Sequence, residues 1–266
     1  MLFNAMESQA KNVKGNGEVI TKEIVPGEFH SLSVGFSGVF DFSSFFSLFK
    51  SHENSMLACH YAQTETCSLK LTIDENLVDY IQIHLQDSVL TVQVKKEYDI
   101  QPTRFQLHVT SKELKQLTVS SAMDFYLDSP LQADRLKLTA NGGSDIFMKQ
   151  PVHADHLSCF ANGGSDIHIE QLTSSSMKGE ANGGSDIHLS GTADEAELEA
   201  NGGADIKAYG FKVKRATSSA NGGSDIYIYA LETLRARANG GSDVHYKGPA
   251  QVDASANGGS DVTKED

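Results

Sequence analysis

Seven aspartates, Asp145, Asp166, Asp186, Asp205, Asp225, Asp243 and Asp261, each close the same phrase, Ala-Asn-Gly-Gly-Ser-Asp, with Ala204 replacing serine once. Residues at equivalent places in stacked units form a column. At the ~5 Å spacing of paired strands, adjacent carboxylates repel by roughly 1 kcal/mol in water and roughly 3 to 4 kcal/mol at an effective dielectric of 20. Something must compensate. The first reading is hydrogen bonding, from backbone N–H groups of the corner or from neighbouring serines such as Ser144, Ser165 and Ser185, in the manner of an Asx turn. The second is calcium, which takes carboxylate and carbonyl oxygens, although the phrase lacks the third glycine of calcium-binding nonapeptides. The third is a row of solvated, unpaired carboxylates.

Two residues beyond the aspartates stand Phe147, His168, His188, Lys207, Tyr227 and His245. On a strand, positions i and i+2 share a face, so this second column lies beside the first on the outer surface. Asp166, His168, Asp186 and His188 are weak candidate ligands for zinc or copper, and a solvated polar face gives the same pattern. A ladder of flat rings also suits contact with a sugar or a protein.

The elements that carry these columns follow from the spacing. The phrases begin at Ala140, Ala161, Ala181, Ala200, Ala220, Ala238 and Ala256, a period near twenty that marks a solenoid. Apolar or small residues occupy positions four and two before each alanine, as in Leu136 and Leu138 or Leu157 and Cys159, with polar residues between. After the turn the alternation resumes at Ile146, Ile167, Ile187, Ile206, Ile226 and Val244. Period two means strands, so each coil is strand, Asn-Gly-Gly corner, strand and a variable return anchored by Val152, Leu172, Phe211 or Leu231. Such coils bury their inner faces only by stacking. The pattern predicts an all-β fold, a right-handed parallel β-helix with no sizeable helix. Glycine supplies the positive φ of the corner, and Asn141, Asn162, Asn182, Asn201, Asn221, Asn239 and Asn257 are placed to form an amide ladder.

Degenerate copies extend the pattern upstream: Val119 to Leu127 aligns Asp124 with Asp145, and Phe36 to Phe42 has the same order. Strand-like runs alternate with polar turns such as Asp74-Glu75-Asn76. The expected organisation is a flexible segment 1–17, an irregular β region 18–118 that caps the solenoid, the β-helix 119–262 and a charged tail 263–266. The last coil is half made, which favours self-association, so a homo-oligomer is expected.

A net charge of -13 without a basic cluster argues against nucleic acid and anionic membrane surfaces. No run has the ~20 apolar residues of a membrane helix, and the first residues lack the pattern of a signal peptide. Cys59, Cys67 and Cys159 show no metal-ligand spacing; Cys59 and Cys67 fit either a hairpin disulfide or two ordinary thiols.

A β-rich head running into NGGSD repeats, with VGFSGVFDF early and LTIDENLVDYIQIHLQDSVLTVQVK in the middle, resembles the auto-transporter adhesin head domain family (GIN-type) of Bacteroidetes envelope proteins. The resemblance covers Glu18 to Asp261 and implies an extracytoplasmic, non-catalytic surface protein with a glycan or envelope protein as partner and no cofactor. Glycosidases need two unequal carboxylates, whereas this column repeats nearly equivalent ones. A pectinase-like β-helix enzyme is the alternative. A third reading is lipid or small-ligand binding by the insert holding Phe36, Phe40, Phe42, Phe45, Phe46 and Phe49.

Overall fold

The computed structural model describes residues 10–35 and 57–266. The N-terminal strands are β1 (Lys11–Lys14), β2 (Val19–Ile24), β3 (Ser31–Gly35), β4 (Leu57–Gln63), β5 (Ser68–Asp74), β6 (Ile81–Gln86), β7 (Val89–Val94), β8 (Tyr98–Gln101) and β9 (Phe105–Ser111). The repeats supply β10 (Gln116–Ser120), β11 (Asp124–Leu127), β12 (Leu131–Asn141), β13 (Asp145–Met148), β14 (Val152–Asn162), β15 (Ile167–Asn182) and β16 (Asp186–Asn201). They continue as β17 (Asp205–Asn221), β18 (Asp225–Asn239), β19 (Asp243–Lys247), β20 (Gln251–Asn257) and β21 (Asp261–Lys264). The architecture is a parallel β-solenoid with coils about 20 residues apart.

Each coil has a wall before the Asn-Gly-Gly corner, a wall after it and a return wall. The two walls beside the corner stack in register, as in Asn162↔Asn182 and Ile167↔Ile187, and the return wall stacks too, as in Thr173↔Thr192, with register shifts where it begins. The alternation of side chains does the packing: Leu138, Ala140, Ile146 and their equivalents up to Ala236, Ala238 and Val244 point inward and are buried, while in the last coil Ala254 and Ala256 are exposed and Val262 is half-buried. Both corner glycines hold positive φ, for example Gly163 at 69° and Gly164 at 75°. A Cβ there would meet nothing closer than 3.4 Å, so the requirement is conformational rather than spatial.

The return wall corrects one expected anchor. Leu231 is exposed, and Ala230 is the buried residue of that coil, paired with Val213. The copy at Ala238 follows its predecessor by only 18 residues, and the shortened return slips in register between Ala208 and Lys212 and again after Val213. Asp74-Glu75-Asn76 also differs from a simple turn, since a 3-10 helix runs over Glu75–Tyr80 and buries Leu77.

Toward the N-terminus the stack no longer follows chain order. β3 pairs in parallel with both β7 and β10, and β4 with both β9 and β11. The β3–β4 coil therefore sits between the later β7–β9 segment and the still later β10–β11 coil. Antiparallel strands end the two walls, β6 against β7 on one and β5 with β2 against β9 on the other. β1 and β8 form a separate parallel pair. In-register stacking thus continues well before residue 119.

Asp124 stacks on Asp145, but the residue on its other side is Ala58. Phe36 to Phe42, read as a further degenerate copy, lies outside the described residues, as does the phenylalanine-rich insert.

Candidate surface of the post-corner wall

The corner is held from coil to coil. Each asparagine side chain donates from Nδ2 to Oδ1 of the preceding copy at 3.0 to 3.2 Å, from Asn162 on Asn141 through to Asn257 on Asn239. The serine hydroxyls point inward: Ser165 Oγ accepts from the backbone N–H groups of Gly143 and Ser144, and Ser185 Oγ from Gly164 and Ser165. The serines therefore serve the backbone and leave the carboxylates to another donor.

That donor is the next coil. Asp145 Oδ1 accepts the N–H of Asp166 at 3.0 Å, and the same link joins Asp166 to Asp186, Asp205 to Asp225, Asp225 to Asp243 and Asp243 to Asp261. In-register stacking makes this bond between coils rather than within an Asx turn. The exception is Asp205, whose N–H donates to the carbonyl of Ser185. At that level Asp186 Oδ2 instead accepts Lys207 Nζ at 2.6 Å, with Asp205 Oδ2 3.6 Å from the same ammonium. Burial opposes the charge on Lys207, but the bonds and charges of Asp186 and Asp205 outweigh it and raise its pKa.

Phe147, His168, His188, Lys207, Tyr227 and His245 occupy consecutive register positions on the outer face. The column extends beyond them. Tyr126 stacks on Phe147, His60 on Tyr126 and His108 on His60, giving rings 4.4 to 5.3 Å apart and within 20° of parallel. Tyr126 was legible from its alignment with Phe147; His60 and His108 were not, because their strands join the stack out of chain order.

Lys207 interrupts this column. His168 and His188 end one segment, Tyr227 and His245 begin the next at 4.9 Å, and Tyr209 meets Tyr227 edge-on at 79°. A groove opens at the break, lined by His168, Glu170, His188, Lys207, Tyr209 and Tyr227. Burial first, then the charges of Asp225 and Asp205, pushes the Tyr227 phenol up. Burial and the charge of Glu265 push Tyr209 up to about 12. Both phenols stay protonated as hydrogen-bond donors at neutral pH.

Of the weak metal candidates, His188 Nε2 stands 3.7 Å from Asp186 Oδ2. Asp166 Oδ1 is held by the Asp186 N–H, Asp186 Oδ2 by Lys207, and His168 and His188 lie ring on ring. The cysteines are free thiols, and burial pushes Cys59 and Cys159 up, away from thiolate chemistry. Cys59 lies in β4 and Cys67 just before β5; these strands flank β9 instead of pairing as a hairpin. Among the described residues no helix is long and apolar enough to cross a membrane.

Residues 52–167 and 136–250 match the model of the family described as "Putative auto-transporter adhesin, head GIN domain". Among solved structures, a "putative adhesin" from Parabacteroides merdae is 30% identical, with 97% of this chain and 100% of that one covered at a TM-score of 0.84. A "putative lipid binding protein" from Parabacteroides distasonis is 24% identical, with 96% and 100% covered at 0.86. A "putative adhesin" from the same species is 24% identical, with 96% and 100% covered at 0.83. The latter two speak to the fold alone. No curated protein matches the sequence.

Proposed function

The chain belongs to the auto-transporter adhesin head (GIN) domain family, and on that premise we propose that it is an extracytoplasmic, non-catalytic adhesin that holds neutral glycan on its post-corner wall. The observation that carries this reading is the break at Lys207. Along the rest of the column, neighbouring rings cover one another's faces, so solvent meets only ring edges. A sugar packs its C–H surface on aromatic rings, and the groove where Lys207 separates His188 from Tyr227 is the place on the column with room for one. The tyrosine hydroxyls, Glu170 and the imidazoles then supply hydrogen bonds to sugar hydroxyls. Lys207 is neutralised by Asp186, so the groove has no surplus positive charge to select an acidic polymer.

The same geometry favours binding over hydrolysis. Five of the aspartates spend one oxygen on a structural N–H from the next coil, and none is paired with a chemically distinct carboxylate across a substrate site.

The test is a glycan array of neutral and acidic polysaccharides probed with the intact chain and with Tyr209→Ala, Tyr227→Ala and Phe160→Ala, the last on the pre-corner wall. Retention of neutral glycans, lost in both tyrosine variants and kept in Phe160→Ala, is the expected result. Binding that ignores the tyrosines, a preference for acidic polymers, or release of shorter saccharides would overturn the proposal.

A further inference from the structure

At the N-terminal end of the ring column three side chains from three separate strand segments meet. His108 lies in β9, His60 in β4 directly above it, and Asp128 just after β11, two positions beyond the Tyr126 that stacks on His60. Each offers one ligand atom, and these atoms lie within 4.8 Å of one another. His60 Nδ1 is 3.1 Å from Asp128 Oδ1, and the imidazoles are 4.9 Å apart at 15°. The backbone is fixed around them, since the Asp128 N–H donates to the Tyr61 carbonyl at 2.8 Å.

We infer that His60, His108 and Asp128 form a binding site for a divalent transition cation of the zinc type, clamping three neighbouring levels of the solenoid where stack order and chain order diverge. Two imidazoles and one carboxylate are a zinc ligand set with room for water. Ligands at about 2.0 to 2.1 Å from a tetrahedral ion stand about 3.3 Å apart, and the His60–Asp128 pair already has that separation. His108 offers its ring nitrogen within 4.8 Å of both, and binding the ion would draw it in. Two cations, Lys70 and Arg104, stand near His108. Lys70 is engaged by Glu23 at 2.7 Å and Arg104 by Gln106.

A second stacked pair shows what distinguishes this place. His168 and His188 repeat the two imidazoles at 4.4 Å, but one level on, two positions beyond Lys207, stands Tyr209 instead of an aspartate. Among the described residues His60, His108 and Asp128 are the one such converging group.

Calorimetric titration of Zn2+ into the untagged, chelator-stripped chain near pH 7.5 tests the site. One ion per chain is expected, with a rise in melting temperature. Asp128→Asn and His108→Ala each weaken binding by about tenfold or more, whereas His168→Ala with His188→Ala leaves it intact; circular dichroism checks that each variant is folded. No saturable isotherm, an isotherm unchanged in His108→Ala and Asp128→Asn, or one lost with His168 and His188 would overturn the assignment. Glycan retention on the array is independent of it.

Discussion

Ser224 Oγ donates to the carbonyl of Ala200 at 2.7 Å, reaching down to a coil whose own serine position is Ala204. Ser144 makes the same reach, to Val119 at 2.9 Å, over a coil whose equivalent residue is Met123. In contrast, where two serines are stacked, as at Ser144 and Ser165, the upper hydroxyl accepts from the lower corner. The buried serine column therefore works by neighbours, and one alanine disturbs two levels.

Ala204→Ser should stabilise the protein by about 0.5 to 1.5 kcal/mol, because it gives the Gly184 and Ser185 N–H groups the acceptor their equivalents have. Ser165→Ala should cost about 1 to 3 kcal/mol by leaving two corner N–H groups without one. Urea midpoints of the two variants should move in opposite directions, and movement in the same direction would refute the neighbour rule.

The corner of the β10–β11 coil lacks glycine. Ser121 and Ala122 hold φ of 62° and 59°, the conformation that glycine adopts elsewhere. Ala122→Gly should therefore raise stability by about 0.5 to 1 kcal/mol, and Gly164→Ala should lower it by a similar amount or more. Gly191 is a harsher case. At φ 128° its missing Cβ would collide with the backbone of Leu172, so Gly191→Ala should cost several kcal/mol, on the order of the worst single substitutions. Thermal melts that rank Gly164→Ala above Gly191→Ala in damage would contradict this.

How much of this was legible in the sequence depends on the residue. Period-two alternation and the twenty-residue spacing made the walls, corner and outer ring column readable, and Asp124 could be aligned with Asp145 because its flanking strands keep the pattern. Leu231 was misplaced because a shortened return shifts the register, which alternation cannot register when the spare residue is also apolar. The donor to the aspartates was missed because it belongs to the next coil, so only the stacked structure supplies it. His60 and His108 were invisible for a topological reason: β4 lies beside β9 and β11, which are remote from it in sequence.

Asp74 predicts how the N-terminal end responds to acid. It is buried, and its carboxylate accepts the N–H groups of Gly17 and Thr103 at 2.8 Å and the Thr103 hydroxyl at 2.7 Å. Burial alone would raise its pKa; the Thr103 hydroxyl and the backbone N–H groups of Gly17, Thr103 and Arg104 outweigh burial and hold it below the ordinary carboxylate value. A depressed folded-state value contributes stability that is complete above the unfolded value of about 3.9 and fades as pH falls through the folded one. Asp74→Asn should lose stability at neutral pH and flatten the acid limb of the pH–stability curve below about pH 4. An unchanged acid limb would show that other groups dominate.

Calcium should leave the melting temperature unchanged, because structural N–H groups already hold five of the aspartate oxygens and Lys207 holds Asp186. A scan with calcium and with a calcium-selective chelator checks this, and a large calcium-dependent rise would restore the cation reading of the column.

The burial of β3 and β4 between strands made later has a consequence for synthesis. Emerging from a ribosome, these two strands have neither neighbour until residues 89–127 follow. Each later coil, in contrast, meets a finished template as soon as it appears. The N-terminal half must assemble as a single event with long loops to close, whereas the repeats can add one level at a time. Nascent-chain proteolysis would then show one late, all-or-none gain of protection for the head, after about 130 residues are free, followed by stepwise protection of every further coil. Gradual protection of the head would show that the interleaved strands find another order.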